Sequence, residues 1–233
     1  MYQQVATTEK GKELLEGVRG KFGGMFKFMF FTSASIVTFS GILSIVVAAT
    51  NMRPPFDFIN YVFLTIFGLI MMAMDAPNET PFLRGFRAAL LYYALFMTRF
   101  VGRGIWYLFL GSITVGALYD NDILPALGWV LGGYIMGVAS YSIFYGIKLS
   151  KNLEAVRKKI LDQGPEQWGA YIPPNGMSKI QLRDLASALT TVTFKDEELN
   201  YIVAGMSMDF RDDGIISQDE FEAWVRGPDM LVL

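Results

Sequence analysis

Four long runs of apolar residues, free of charged side chains, dominate the first two thirds of the chain. They cover residues 28–50, 58–74, 105–119 and 123–147. A helix rises about 1.5 Å per residue, so about 20 residues cross the roughly 30 Å hydrocarbon core of a bilayer. The pattern therefore predicts an all-α protein with a bundle of four membrane-spanning helices.

A further apolar segment, residues 82–100, differs from these runs because it contains three arginines. An arginine at the centre of a bilayer costs about 3 kcal/mol or more. We therefore interpret this segment as an interfacial or re-entrant helix that leads into the third span. Arg84 and Arg87 are then candidate anchors for lipid phosphates.

Lysines and arginines fall almost entirely on one side of this four-span arrangement. Fourteen of them lie before the first span, between the second and third spans, or in residues 148–161, and only Arg53 lies on the other side. Positively charged loops stay on the cytosolic side of a membrane. Both termini are therefore predicted to face the cytosol, or the equivalent side of another membrane.

The polar parts of the chain divide it further. Residues 1–24 include a short amphipathic pattern that would lie at a membrane surface or pack on other protein. A basic helical extension is predicted after the fourth span, and glycines and prolines then indicate a linker. The predicted division is an amphipathic segment 1–24, a four-helix membrane domain 25–150, an extension and linker 151–176, and a small helical domain 177–233.

Charge follows the same division. Residues 1–161 carry a net charge of +6, and residues 162–233 carry −8. Opposite charges attract, and salt screens that attraction. We therefore expect the acidic domain to dock on the basic ends of the spans, and salt or calcium to loosen it.

Twelve residues of the acidic domain, 209–220, resemble the calcium-binding loop of an EF-hand. Such a loop offers oxygen ligands at positions one, three, five, seven, nine and twelve, and turns sharply at a glycine in position six. Gly214 stands at the sixth position. The expected Ca²⁺ ligands are the side chains of Asp209, Asp213, Ser217 and Glu220 and the backbone carbonyl of Ile215.

Arg211 departs from this pattern because it stands at the third position, where Asp or Asn is expected. A guanidinium cannot ligate a cation, and its charge opposes calcium binding. Two interpretations stay open. Either Arg211 swings out and water completes a calcium site, or the helices on both sides of the loop bind protein without metal.

The residues around the loop predict a paired EF-hand-like unit. Ser217 and Glu220 form a capping box for the following helix, which has Phe221 and Trp224 on its apolar face. Acidic residues at 196–198 suit the first turn of the preceding helix. The buried stripe predicted for that preceding helix is Leu199, Ile202, Val203 and Met206.

A second half-site is expected upstream, because EF-hands usually occur in pairs. Met177 aligns with Ile216 at the apolar eighth position, through which neighbouring loops pair. Gln181 then stands where the closing glutamate belongs, and positions one, three and five have no side-chain oxygen. This half is predicted to bind no metal.

Four glycines give the fourth span a stripe of small residues, of the kind that allows close helix contact in lipid. They pack either within the bundle, which we favour, or in a homodimer, so that this face is also a candidate contact with a protein partner. The stripe consists of Gly128, Gly132, Gly133 and Gly137.

The chain contains neither cysteine nor histidine. Their absence excludes disulfides, thiolate nucleophiles, imidazole bases and metals held by Cys or His. The spans also hold few of the ionisable residues that transport pathways need. We therefore expect no enzyme and disfavour a channel or transporter, and we expect no nucleic-acid partner.

The start of the third span carries a family resemblance. Residues 100–112 read FVGRGIWYLFLGS, and Asp75 followed by Pro77 ends the second span. Residues 27–150 resemble the COPI-associated Golgi membrane protein family, which implies four spans with both ends in the cytosol. The glycines beside Arg103 allow close backbone approach, so that its guanidinium is expected to pair with Asp75 or with a lipid phosphate.

These observations favour a non-enzymatic endomembrane scaffold or adaptor of the vesicle-trafficking type, located in the Golgi or related membranes. Its partners would be the lipid bilayer and proteins bound by the EF-hand-like domain, under possible Ca²⁺ control. The alternative is a structural accessory subunit of a respiratory or photosynthetic complex, in the mitochondrial inner membrane or the thylakoid.

Overall fold

The structure is a computed structural model and is mostly helical. Its first four long helices are α1, Met25–Thr50, α2, Pro55–Asp75, α3, Phe100–Asp120, and α4, Pro125–Asp162. All four are long and apolar enough to cross a membrane, as the hydrophobic pattern predicts. The residues described are 24–77, 80, 81, 83, 85, 86, 94–121, 125–164, 171–173, 175, 176–206, 214–227 and 231–233.

Local sequence explains where these helices begin and end. A proline at the first helical position starts α2, where its missing N–H costs nothing. The short 3₁₀ helix Leu95–Thr98 precedes α3. Helix α4 continues without a break through the basic residues to Asp162, which confirms the predicted extension, and Gly164 follows it with a φ of +87°.

The described residues fall into two compact units. The first contains the described residues within 1–87 and 107–138, and the second contains those within 88–106 and 139–233. The unit boundaries therefore cross helices α3 and α4. The functional division predicted from the sequence, with a domain from 177 to 233, stays a prediction.

In the first unit, α1 and α2 pack closely through small residues. A Cβ atom added to Gly68 would lie 2.5 Å from Oγ1 of Thr38, and one added to Gly41 would lie 2.9 Å from the backbone nitrogen of Thr65. The two contacts are reciprocal, because each glycine faces a threonine of the other helix. Close backbone approach of this kind replaces the hydrophobic effect as the source of helix association in lipid.

Helix α3 packs on α1 in the same unit through aromatic and polar groups. The ring of Tyr107 stacks on Phe30 with 5.3 Å between centroids, and its hydroxyl donates to the carbonyl of Phe30 at 2.9 Å. Ser44 donates to the carbonyl of Ala117 at 3.3 Å. These two hydroxyls thus have protein partners, which a polar group in an apolar bilayer needs.

The second unit holds the first turns of α3, the last part of α4 and the C-terminal elements. These elements are β1, Met177–Ser178, α5, Lys179–Leu189, α6, Asp196–Met206, β2, Ile215–Ile216, and α7, Gln218–Arg226. The two strands pair antiparallel, with Met177 opposite Ile216. The stripe predicted for α6 is confirmed, because its four apolar residues are all buried.

Candidate functional site

The described part of the candidate loop begins at Gly214. Its φ of +68° lies in the left-handed region that favours glycine, as the sharp turn at position six requires. Ile215 and Ile216 then form β2. Asp209, Arg211 and Asp213 lie outside the described residues, so three of the predicted positions have no structural description.

The predicted capping box at the end of the loop is confirmed. The side chain of Ser217 accepts from the backbone N–H of Glu220 at 3.3 Å, and Oε2 of Glu220 accepts from the backbone N–H of Ser217 at 2.9 Å. Glu220 is buried. Its carboxylate is therefore held where the loop meets the first turn of α7, at the end of the chain segment that would surround a cation.

The upstream half repeats this geometry. Ser178 accepts from the N–H of Gln181 at 3.4 Å, and Oε1 of Gln181 accepts from the N–H of Ser178 at 2.8 Å. The predicted alignment of Met177 with Ile216 is confirmed by the strand register. Two helix-capping motifs thus stand at equivalent positions on either side of one short antiparallel pair.

Lys179 brings a positive charge towards the candidate loop. A Cβ added to Gly214 would lie 3.3 Å from its ammonium nitrogen and 3.2 Å from its Cε. The ammonium is thus close to position six. Like charges repel, so a cation bound in the loop would be opposed by Lys179.

Within the described part of the chain, no three His, Cys, Asp or Glu side chains come together as a metal site. Two acidic ligands predicted for calcium are outside that part. The residues that are described fit a calcium loop in three ways, through the turn at Gly214, the carbonyl of Ile215 in β2 and the placed carboxylate of Glu220.

Helix α6, which precedes the loop, docks on the last part of α4. The hydroxyl of Tyr145 donates to Oε1 of Glu198. The other carboxylate oxygen of Glu198 accepts from the backbone N–H of Lys195 at 2.7 Å, which caps the helix. One carboxylate therefore starts α6 and attaches it to α4.

Tyr201 joins the same helix to the start of α3. Its ring lies 3.8 Å from that of Phe100 between centroids, and its hydroxyl accepts from Nη1 of Arg103 at 3.3 Å. The predicted role of the glycines beside Arg103 is visible here, because a Cβ on Gly104 would lie 2.8 Å from the carbonyl of Ala139. Arg103 is buried.

Helix α7 is also attached to α4, through Arg157. Its Nε donates to the carbonyl of Val225 at 3.2 Å, and its Nη2 donates to the carbonyl of Gly227. The extension also carries buried apolar residues at helical spacing, which are Leu149, Leu153, Val156 and Ile160. That spacing is visible in the sequence, and it is the signal that would have indicated a docking face there.

The other sequence-predicted residues have separate outcomes. Asp75 is fully buried at the end of α2 in the first unit. The ion pair of Asp75 with Arg103 stays a prediction. Arg84 and Arg87 lie outside the described residues, so their role as lipid anchors stays a prediction as well.

The glycine stripe of α4 divides into two faces in the first unit. Gly128 and Gly132 pack on α3, where added Cβ atoms would meet Leu118 and Val115. Gly133 and Gly137 have no atom within 4 Å of an added Cβ. Packing within the bundle is therefore confirmed for the first two residues.

Comparison with family models, curated proteins and solved structures finds no match to this chain. The fold itself therefore defines the class. The protein is mostly helical and has four helices able to cross a membrane, with C-terminal helices attached to the end of the fourth.

Proposed function

We propose that the chain is a non-enzymatic scaffold or adaptor of an endomembrane, with an EF-hand-like C-terminal domain that responds to calcium. The observation that carries this proposal is the pairing of Met177 with Ile216 between two equivalent capping boxes. EF-hand loops pair through a short antiparallel contact at their eighth positions, and this register supports that arrangement.

In this proposal the downstream loop is the calcium site and the upstream half is structural. Glu220 would close the site as a bidentate ligand, with Ser217 and the carbonyl of Ile215 beside it. Gln181 occupies the equivalent upstream position and has no charge. Calcium then acts on the angle between α6 and α7, which flank the loop and are both attached to α4.

The test is a calorimetric calcium titration of the full chain in lipid nanodiscs, repeated with Glu220→Gln. Gln181 already makes the same capping hydrogen bond upstream, so the substitution keeps the cap and removes the charged bidentate ligand. We expect weak to moderate binding that Glu220→Gln abolishes.

Asp219→Asn is the matched control, because it removes one negative charge from an exposed residue next to Glu220 that is not a ligand position. It should bind calcium nearly as the unchanged chain does. Absence of heat at millimolar calcium, or equal binding by Glu220→Gln, would contradict a calcium site in this loop.

The endomembrane location rests on the resemblance of residues 27–150 to COPI-associated Golgi proteins. The four helices able to span a membrane support it. A fluorescently tagged chain should colocalise with Golgi markers, and tags at both ends should be accessible from the cytosol. Exclusive residence in an energy-converting membrane would contradict it.

One observation favours the second candidate, an accessory subunit of a larger membrane complex. Gly133 and Gly137 present small residues with open space in front of them, as a neighbouring protein helix requires. Stable co-migration with a respiratory or photosynthetic complex in native electrophoresis would support that function over the first.

A further inference from the structure

The three residues 231–233, here called the latch, lie in the second unit and make close contacts within it. Leu233 is fully buried, whereas its neighbour Val232 is 42% exposed. The side chain of Leu233 thus points into the protein, whereas that of Val232 points outward. A segment this short contributes little structure of its own, so its contacts define its role.

Both backbone polar groups of Leu233 are satisfied by helices α3 and α4. Its carbonyl accepts from the N–H of Val101 at 3.0 Å, and its N–H donates to Oγ of Ser150 at 2.9 Å. Val101 lies in the first turn of α3, where backbone N–H groups have no partner within the helix. The latch therefore supplies an acceptor that the start of α3 needs.

Two glycines, one on α4 and one on α6, leave the space that Leu233 occupies. An added Cβ on Gly146 of α4 would lie 2.7 Å from the carbonyl oxygen of Leu233. One on Gly205 of α6 would lie 2.7 Å from Cδ2 of Leu233. A larger residue at Gly146 would clash with the backbone of the latch, and one at Gly205 would require the Leu233 side chain to shift.

The latch thus lies between α6 and the spanning helices α3 and α4. The described contacts of α6 with these two helices include those of Glu198 and Tyr201. Hydrogen bonds to charged groups and the burial of one leucine side chain contribute net free energies of the same order. The free energy lost when one buried leucine side chain is removed is therefore large enough to change whether α6 stays attached.

We propose that residues 231–233 act as an intramolecular latch that keeps α6 attached to the base of the third and fourth spanning helices. With the latch seated, the face of α6 that bears Glu198, Tyr201 and Gly205 is covered. With the latch released, this face is uncovered. This inference needs no calcium and does not depend on the metal site.

The test is hydrogen exchange of the full chain in nanodiscs, without calcium, for Leu233→Ser and its matched control Val232→Ser. We expect amides of residues 196–206 to exchange about tenfold faster in Leu233→Ser, because a buried leucine side chain is lost. Val232→Ser should leave them unchanged. Exchange in α1 should stay the same in both, which shows that the spans are intact.

Equal exchange of residues 196–206 in the two variants would overturn the proposal. If Leu233→Ser also speeds exchange in α1, a second variant, Ser150→Ala, tests the same contact from α4. It removes the acceptor of the Leu233 N–H and leaves the latch sequence unchanged. Faster exchange confined to α6 would support the latch, and unchanged exchange would overturn it.

Discussion

At the scale of single residues, Tyr145 shows how a spanning helix reaches the C-terminal helices. Its hydroxyl donates to Glu198, which also caps α6. Tyr145→Phe removes only that hydroxyl, so Oε1 of Glu198 loses the hydrogen bond that Tyr145 donates. We expect a loss of about 1.5–3 kcal/mol in the free energy of attachment of α6, as for hydrogen bonds to charged groups.

The measurement is thermal unfolding followed by tyrosine and tryptophan fluorescence in detergent. Tyr141→Phe is the control, because Tyr141 lies one turn away on α4 and is exposed. It should unfold at the temperature of the unchanged chain. An equal effect of the two substitutions would mean that the contact with Glu198 contributes nothing.

Lys179 is the second residue with a direct consequence. Its ammonium lies beside Gly214, at the centre of the proposed calcium loop. Lys179→Gln removes a positive charge that opposes calcium. We expect calcium affinity to rise about threefold to tenfold at low ionic strength, by calorimetry, and the gain to shrink at high salt.

Lys195→Gln controls for net charge, because it makes the same change at the exposed start of α6. It should alter affinity much less. An equal gain from the two substitutions would attribute the effect to overall charge rather than to the position of Lys179.

At the scale of elements, two adjacent glycines of α4 allow a matched comparison. A Cβ on Gly132 would collide with the Val115 side chain, whereas one on Gly133 would meet nothing within 4 Å. Gly132→Ala should destabilise the bundle by about 1–3 kcal/mol through overpacking. Gly133→Ala should be neutral or slightly stabilising, because alanine favours helix.

Thermal unfolding in detergent measures both changes. Equal destabilisation by the two substitutions would contradict the division of the glycine stripe into a packed and an open face.

The elements themselves follow largely from the sequence. Uncharged apolar runs of 15 to 25 residues predict α1 to α4, because runs near bilayer length are typical of membrane-spanning helices. The capping box of Ser217 and Glu220 follows from residue types at fixed spacing, and so does the alignment of Met177 with Ile216.

Contacts between distant elements do not follow in the same way. Periodicity indicates that Leu153 and Val156 are buried, but not which element covers them. From the sequence, Arg157 is one of several basic residues in the helical extension. In the structure it is buried and donates to backbone carbonyls. Every residue has a backbone carbonyl, so the sequence does not indicate which ones Arg157 contacts. No sequence pattern around Leu233 predicts that it is buried against α3, α4 and α6.

At the scale of the whole molecule, the opposite charges of the two parts predict attachment that salt loosens. The contacts described that attach the C-terminal helices to α3 and α4 are a tyrosine with a carboxylate, two aromatic rings, and an arginine with carbonyls. Buried contacts of this kind are screened little by salt. We therefore expect protease cleavage in residues 163–176 to change little up to about 0.5 M salt.

Calcium should act differently from salt, because both flanking helices of the proposed loop are attached to the same helix. A calcium-induced change in the angle between α6 and α7 cannot preserve the contacts of both Glu198 and Val225 with α4. We therefore expect calcium binding and attachment of α6 to be coupled, so that each lowers the affinity of the other.

The most direct test is hydrogen exchange of residues 196–206 in the full chain in nanodiscs, with and without saturating calcium. We predict faster exchange with calcium in the unchanged chain and no calcium effect in Glu220→Gln. Exchange that is the same with and without calcium in the unchanged chain would contradict a calcium-responsive domain attached to these membrane helices.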